Sequence, residues 1–233
     1  MLDRLAKKIV DALIIPASRR KRFALGDTTV VGAMQRQSVE ESAEYARRNM
    51  VTAMLFERTN DFRAHAFSKR KPQGLILEFG VFQGLGVNLF ASLTTDPVHG
   101  FDSFEGLQED WGGSLGAVKG FFDVKGVLPK VRSNVTLHKG WFNETLPGFL
   151  AAHPEEVSFV NFDADTYEST KYLLDALADR IRPGAILLFD EYFGFRGWRE
   201  GEYRAWQEYV AERGVKFTYL AICEGRIAVR VDA

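Results

Sequence analysis

The stretch Leu75-Ile76-Leu77-Glu78-Phe79-Gly80-Val81-Phe82-Gln83-Gly84-Leu85-Gly86 reads as a strand, a tight turn and the start of a helix. Leu75 to Leu77 are apolar without alternation, which fits a strand buried on both faces of a parallel sheet covered by helices. The glycines that follow let the backbone turn sharply and leave room for a ligand. Their spacing is G-x-x-x-G-x-G rather than the dinucleotide-binding G-x-G-x-x-G, and Glu78 stands just before the first of them. A carboxylate there would repel a pyrophosphate but could hold an ammonium or a ribose. The loop therefore points away from NAD and toward S-adenosylmethionine.

At 233 residues the chain has room for one α/β domain with an extension and a sizeable core. Lys and Arg number 30 against 31 Asp and Glu, a net charge of -1 that advertises no polyanionic partner, so no nucleic acid is expected. Cys223 is the only cysteine, which excludes an internal disulfide and a cysteine-built zinc site. It suits a reducing compartment, and a cytoplasmic protein is expected. The apolar run from Ile9 to Ile15 is too short to span a membrane, is interrupted by Asp11 and is followed by no A-x-A-like cleavage site. No membrane partner is expected.

Residues 1–70 carry no strand-like alternation and many helix formers, with breaks at Pro16 and between Gly26 and Gly32. They read as an N-terminal helical extension of a domain spanning 71–233. The basic run Arg19 to Arg22 reads as a solvated face beside a helix end. From Ser38 onward, Ala43, Ala46, Met50 and Ala53 fall at three-and-four spacing, and Ser38 with Glu41 makes a capping box. That helix is expected to pack on the domain and to offer a contact between copies in a homo-oligomer.

Downstream, 87–93 reads as a helix and 97–102 as a second strand ending in Asp102. An acid there can hold a ribose hydroxyl, although Asp-Ser also begins turns. Glu105 to Gly120 is glycine-rich, has no helical or strand period and reads as a lid, with Gly112-Gly113 as a hinge. A short helix is expected over 123–131 and a third strand over 135–139. Gly140-Trp141-Phe142 follows directly, placing an indole either to stack on adenine or to enter the core. Val157 to Asp163 reads as a fourth strand, 169–181 as a helix stopped by Pro183-Gly184, and 185–189 as a fifth strand ending in Asp190-Glu191. A helix over 198–212 and strands near 216–221 and 226–231 complete the pattern.

In open α/β sheets the ligand crevice lies outside the carboxyl ends of the strands, so Glu78, Asp102, Asp163, Asp190 and Glu191 converge on one rim. Such a crowd of carboxylates needs a compensating cation, a carboxyl kept protonated, or residues turned outward to caps and arginines. Glu78 and Asp102 flank the cofactor side of the sheet, and the other three end two neighbouring strands. Oxygen ligands without histidine or cysteine favour Mg²⁺, Mn²⁺ or Ca²⁺ over zinc. Asp163 and Asp165 could instead cap the following helix, and Asp165 is the better placed for it. His65, His99, His138 and His153 lie outside the motif blocks and read as structural or exposed.

Five blocks carry a resemblance: Glu78 to Gly84, Gly100 to Leu107, Lys139 to Phe142, Asp163-Ala164-Asp165-Thr166-Tyr167-Glu168-Ser169-Thr170, and Phe189-Asp190-Glu191-Tyr192. Together they resemble the class I S-adenosylmethionine-dependent methyltransferases of the macrocin O-methyltransferase type. The resemblance implies a Rossmann-like, doubly wound seven-stranded sheet with the last strand antiparallel, and methylation of a sugar hydroxyl in a natural product. It also implies Mg²⁺ held at Asp163, Asp190 and Glu191, although those enzymes often carry Asp-Asp where this chain has Asp190-Glu191. The cofactor is then expected along Glu78, Phe79, Gly80, Val81, Gly84, Asp102, Ser103, Gly140, Trp141 and Asp163.

The leading expectation is a metal-assisted O-methyltransferase acting on a small-molecule hydroxyl, with Asp163 as both ligand and proton acceptor. A binding or assembly protein that keeps the fold without transfer is the alternative, and the intact acids argue against it. An NAD-dependent oxidoreductase is disfavoured by the glycine spacing.

Overall fold

Four strands carry a phenylalanine as their last or next-to-last residue, and those rings lie side by side. They belong to β2 (Leu75–Phe79), β3 (Val98–Asp102), β5 (Val157–Phe162) and β6 (Ile186–Phe189). The pairing register sets Phe79 opposite both Phe101 and Phe162, and Phe162 opposite Phe189. Their ring centroids are 5.1, 6.1 and 5.0 Å apart in that order. All four rings are buried, and each such burial contributes about 1.5 to 3 kcal/mol. The row fixes the level at which the following residues, Gly80, Asp102, Asp163 and Asp190, emerge on one rim.

The computed structural model describes residues 29–112 and 117–233. Ile9 to Ile15, Pro16, the basic run Arg19 to Arg22 and Gly113 of the expected hinge lie outside the described residues. The remaining strands are β1 (Met54–Leu55), β4 (Val135–Lys139), β7 (Phe217–Cys223) and β8 (Arg226–Val231). The sheet runs β1-β7-β8-β6-β5-β2-β3-β4. β8 is antiparallel to both its neighbours, and the other strand pairs are parallel. This is the expected doubly wound α/β sheet with its last strand antiparallel. The count is eight rather than seven, because Met54 and Leu55 add an edge strand beside Ala221 and Ile222. Two residues are too few to show alternation, so the sequence pattern could not reveal them.

Among the described residues the α-helices are α1 (Val30–Asn49), α2 (Thr59–Ser68), α3 (Leu85–Ser92), α4 (Phe142–Ala152), α5 (Tyr167–Ala176) and α6 (Glu202–Arg213). α1 begins eight residues before the expected Ser38, with Thr29 as its cap accepting from the Gly32 amide at 3.2 Å. Ser38 sits inside the helix, where its hydroxyl donates back to the Met34 carbonyl, so the expected capping box is absent. The early turns carry exposed Val30 and Val31, and without an apolar stripe they gave no period to read. No helix forms over 123–131, which runs through turns held by Asp123 and Gly126. Phe62, Ala66 and Phe67 of α2 enter the core with Ile76, Phe90 and Phe159, so the sheet is covered on that face by residues preceding 71. No helix among the described residues is long and apolar enough to cross a membrane.

Candidate active site

A cavity of about 580 Å³ opens at the carboxyl ends of the strands. Its walls include Glu78, Gly80, Val81, Asp102, Ser103, Gly140, Trp141 and Asp163 of the expected cofactor residues. Phe79 is wholly buried in the phenylalanine row beneath it, and Gly84 caps α3 in a left-handed conformation. Two glycines of the loop answer to packing rather than to a ligand. A Cβ on Gly80 would stand 1.8 Å from the Asp163 carbonyl oxygen, and one on Gly86 would stand 2.0 Å from the Glu78 carboxylate. Gly80 therefore lets the end of β5 close against the loop, which brings Asp163 to the cofactor side of the rim.

Asp102 organises the loop. One carboxylate oxygen accepts from the backbone amides of Val81 at 2.8 Å and Phe82 at 2.7 Å, and the other accepts from Phe104 at 2.6 Å. These bonds hold Phe82 and Phe104 at positive φ, 46° and 60°, conformations that bulky residues rarely adopt. Turn formation and a place on the cavity wall are thus both features of Asp102. Trp141 is half-buried at the start of α4 and lines the cavity, so its indole is not the core tryptophan that the sequence left open.

Glu78 is buried, with Asn161 donating to one carboxylate oxygen at 2.9 Å and the other oxygen lacking a partner. Burial pushes its carboxyl up to about 8, against the opposing pull of Arg63 and Asn161.

On the other side of the rim the acids divide in two. Asp190 is neutralised: Arg63 donates to it at 2.8 Å and Arg226 donates to it at 2.8 Å. Arg63 also reaches Asp163 at 3.5 Å. Oxygens of Asp163, Asp165 and Glu191, by contrast, all lie within 4.8 Å of one another, an arrangement that can hold a metal ion. The expected metal set was Asp163, Asp190 and Glu191. The geometry instead gives Asp190 to two guanidinium groups and puts Asp165 in the triad. Asp165 is not the helix cap; Thr166 is, its hydroxyl accepting from the Ser169 amide at 3.2 Å. Asp165 holds φ at 61°, and backbone strain of this kind clusters at functional sites.

The triad carries more negative charge than its surroundings relieve. Burial, then the charges of Asp190 and Asp165, hold the Asp163 carboxyl well above the usual carboxylate range despite Arg63. Burial followed by Asp190 raises Asp165 to about 7. Glu191 is pushed up by burial and by Asp190 and Asp163, and one of its oxygens is buried without a partner. Beneath them Glu202, wholly buried, accepts the Glu191 amide at 2.8 Å, and burial raises its carboxyl as well. Hard oxygen donors, close spacing, unpaired oxygen and surplus charge fit a divalent cation such as Mg²⁺. Arg63, Arg226 and Glu202 carried no local sequence signal, since each lies far along the chain from the acid it serves.

The described part of the expected lid borders the cavity. Trp111 pairs with Ala117 through an amide-to-carbonyl bond of 2.7 Å, its ring is buried and sits 6.1 Å from Phe195, and Leu107, Gln108 and Glu109 line the cavity. Of the histidines, His99 and His138 share a 3.2 Å contact beneath α4, away from the rim.

Residues 77–192 match a family profile described as a methyltransferase domain. That stretch, just under half of the chain, is similar to methyltransferase domains. It spans β2 through the start of the segment after β6, and so contains the glycine loop, Asp102 and the acid triad. Over 142 residues the chain is 31% identical to the 8-demethyl-8-(2,3-dimethoxy-alpha-L-rhamnosyl)-tetracenomycin-C 4'-O-methyltransferase of Streptomyces olivaceus. The match covers 51% of this chain and 53% of that protein, so the alignment spans about half the length of the curated relative. Among solved structures, CalS11, a TDP-rhamnose 3'-O-methyltransferase of calicheamicin biosynthesis, superposes with a TM-score of 0.53 at 25% identity, over 74% of this chain and 77% of that one. The O-methyltransferase NovP shares the fold, with a TM-score of 0.55 at 20% identity over 75% of this chain and 79% of that one.

Proposed function

We propose that this chain is an S-adenosylmethionine-dependent O-methyltransferase whose acceptor is a sugar hydroxyl of a glycosylated natural product. The observation that carries the reading is the single cavity in which the glycine loop and the oxygen triad Asp163, Asp165 and Glu191 face one another. The Streptomyces olivaceus enzyme and CalS11 are named for rhamnose-bearing substrates, and the acceptor class is carried over from these two as part of the proposal.

Bound S-adenosylmethionine supplies an electrophilic methyl carbon on sulfur; its passage to an acceptor oxygen breaks the carbon–sulfur bond, leaves a neutral thioether and frees the hydroxyl proton. The chain's residues account for the rest. Glu78, Gly80, Asp102 and Trp141 line the cofactor end, and the carboxyl of Glu78 is suited to an ammonium that would relieve its burial. Asp163, Asp165 and Glu191 are the residues that would hold Mg²⁺, an ion that lowers the pKa of a coordinated hydroxyl. Without a bound cation, the Asp165 carboxyl is raised to about 7, which is matched to receiving a proton near neutral pH. The lid around Trp111 excludes water from the charged end of the cavity.

The test is release of S-adenosylhomocysteine from methyl α-L-rhamnoside and related glycosides, with and without EDTA, alongside calorimetry with S-adenosylhomocysteine and with NADH. Cofactor binding and EDTA-sensitive turnover are expected. Heat with NADH alone would defeat the cofactor reading, and turnover indifferent to EDTA would leave the triad as general bases without a metal.

A further inference from the structure

A second cavity, of about 880 Å³, lies between α1 and the rim of β6, β7 and β8. Its walls are largely apolar: Ala43 and Met50 from α1, Phe193 and Phe195 from the segment after β6, and Ile222 from β7. Asp190, Glu191 and Arg226 line both this cavity and the first one. The acid-bearing segment therefore borders both cavities.

The chamber's wall is a fixed part of the fold. The Ser42 hydroxyl accepts from the Gly194 amide at 2.9 Å, and Gln35 donates to the Gly194 carbonyl at 2.7 Å, which pins α1 to the segment that carries Asp190 and Glu191. Tyr45 adds a hydroxyl contact of 2.8 Å to Tyr219, which meets the Tyr192 hydroxyl at 2.7 Å. Phe195 joins the chamber to the lid through its contact with Trp111. The lining also carries Ser42 and Arg47 on α1 and Asp190, Glu191, Glu224 and Arg226 opposite, and an apolar space with a few polar groups is the chemistry of a small-molecule site.

We propose that this chamber receives the apolar remainder of the acceptor, an aromatic or polycyclic aglycone, while the sugar hydroxyl reaches past Glu191 into the transfer site. The inference rests on the methyltransferase reading for the identity of the hydroxyl, and on the chamber's own geometry for the apolar group. An acceptor held this way is anchored by burial of its aglycone, with the reactive oxygen left to the acids. Specificity for the aglycone is then set by α1, a helix outside the 77–192 stretch that carries the transfer machinery.

The experiment compares methyl α-L-rhamnoside with 2-naphthyl α-L-rhamnoside on the full chain. Ala43 is exposed on α1 and lines the chamber, so Ala43→Trp fills the space and Ala43→Glu charges it without touching the rim. In the unaltered protein kcat/KM is expected to be at least tenfold higher for the naphthyl glycoside. Either substitution should cut that value about tenfold, leaving the methyl glycoside and S-adenosylhomocysteine affinity unchanged. Calorimetry of 2-naphthyl α-L-rhamnoside on the S-adenosylhomocysteine complex reads the chamber without turnover, and both variants should lose that heat. Equal turnover of the two glycosides, or equal losses on both in the variants, overturns the chamber assignment and leaves the methyltransferase reading standing. Naphthyl binding that Ala43→Trp abolishes, in a protein that methylates neither glycoside, keeps the chamber and defeats the reading. No naphthyl binding by the unaltered protein overturns the chamber whatever the turnover.

Discussion

Asp102 and Asp165 are the same residue type on the same rim, at the ends of strands two apart in the sheet, and the structure treats them oppositely. Asp102 has three backbone amides aimed at its carboxylate. Asp165 stands beside Asp163 and Glu191 with a carboxyl raised to about 7 by burial and neighbouring charge. The first carboxylate is satisfied by the fold and shapes a loop. The second belongs to a group left with surplus charge, which only a proton or a cation can relieve. On one rim, then, hydrogen-bond satisfaction separates an acid that shapes the loop from acids whose charge the fold leaves unrelieved.

The contrast can be broken most severely at the working end. Asp165→Asn keeps the shape and removes the basic oxygen, so methyl transfer is expected to fall by about 100- to 10,000-fold while S-adenosylhomocysteine still binds; stopped-time assays of thioether release check it. A rate within a few-fold of the unaltered protein would move proton removal to Asp163 or Glu191.

Next in size is the neutralised pair. Arg63→Met strips Asp190 of one of its two cations and leaves a buried charge short of a partner, at a cost of about 3 to 5 kcal/mol in a urea unfolding curve. If stability were unchanged, Arg226 alone would suffice to hold Asp190, and Arg63 would be free for a role at Asp163.

Asp102→Ala should cost about 2 kcal/mol by orphaning amides that the loop cannot turn elsewhere, and should weaken S-adenosylhomocysteine binding through the displaced loop. Asp102→Asn, which retains one acceptor oxygen, is expected to lose less on both counts. Weakened binding with full stability would restore Asp102 to a direct ligand role.

A pH trend reads the raised carboxyls together. Because Glu78, Asp163, Asp165 and Glu191 have carboxyls raised in the folded protein, the native state binds more protons than the unfolded chain between about pH 4.5 and 8. Stability in EDTA should therefore decline as pH rises through 6 to 8. His99, whose burial lowers its pKa to about 4, acts in the opposite sense below about pH 6.5. Thermal melts between pH 6 and 8 isolate the acids, and added Mg²⁺ should flatten or reverse the decline. A slope untouched by Mg²⁺ would separate the raised carboxyls from any metal role.

The parallel sheet, the acids at its strand ends and the glycine loop were legible in the chain because each is written in consecutive residues. Buried strands are continuous apolar runs, and the turn after β2 needs glycines at set positions. Sequence alone therefore placed Glu78, Asp102, Asp163, Asp190 and Glu191 on one rim. It did not say which carboxylate meets which cation, because Arg63 comes from α2 and Arg226 from β8, and distances between elements remote in sequence are set by packing. The same holds for Asp165, whose role depends on a left-handed backbone angle and on Thr166 taking the cap. The early start of α1, the two-residue β1 and the chamber against α1 left no periodic trace, since exposed turns and a two-residue strand carry too few buried positions to show one. Local pattern determined the fold and the acids on its rim; long-range contacts, through hydrogen bonds and charge pairing, decided which of those acids are spent on structure and which remain for chemistry.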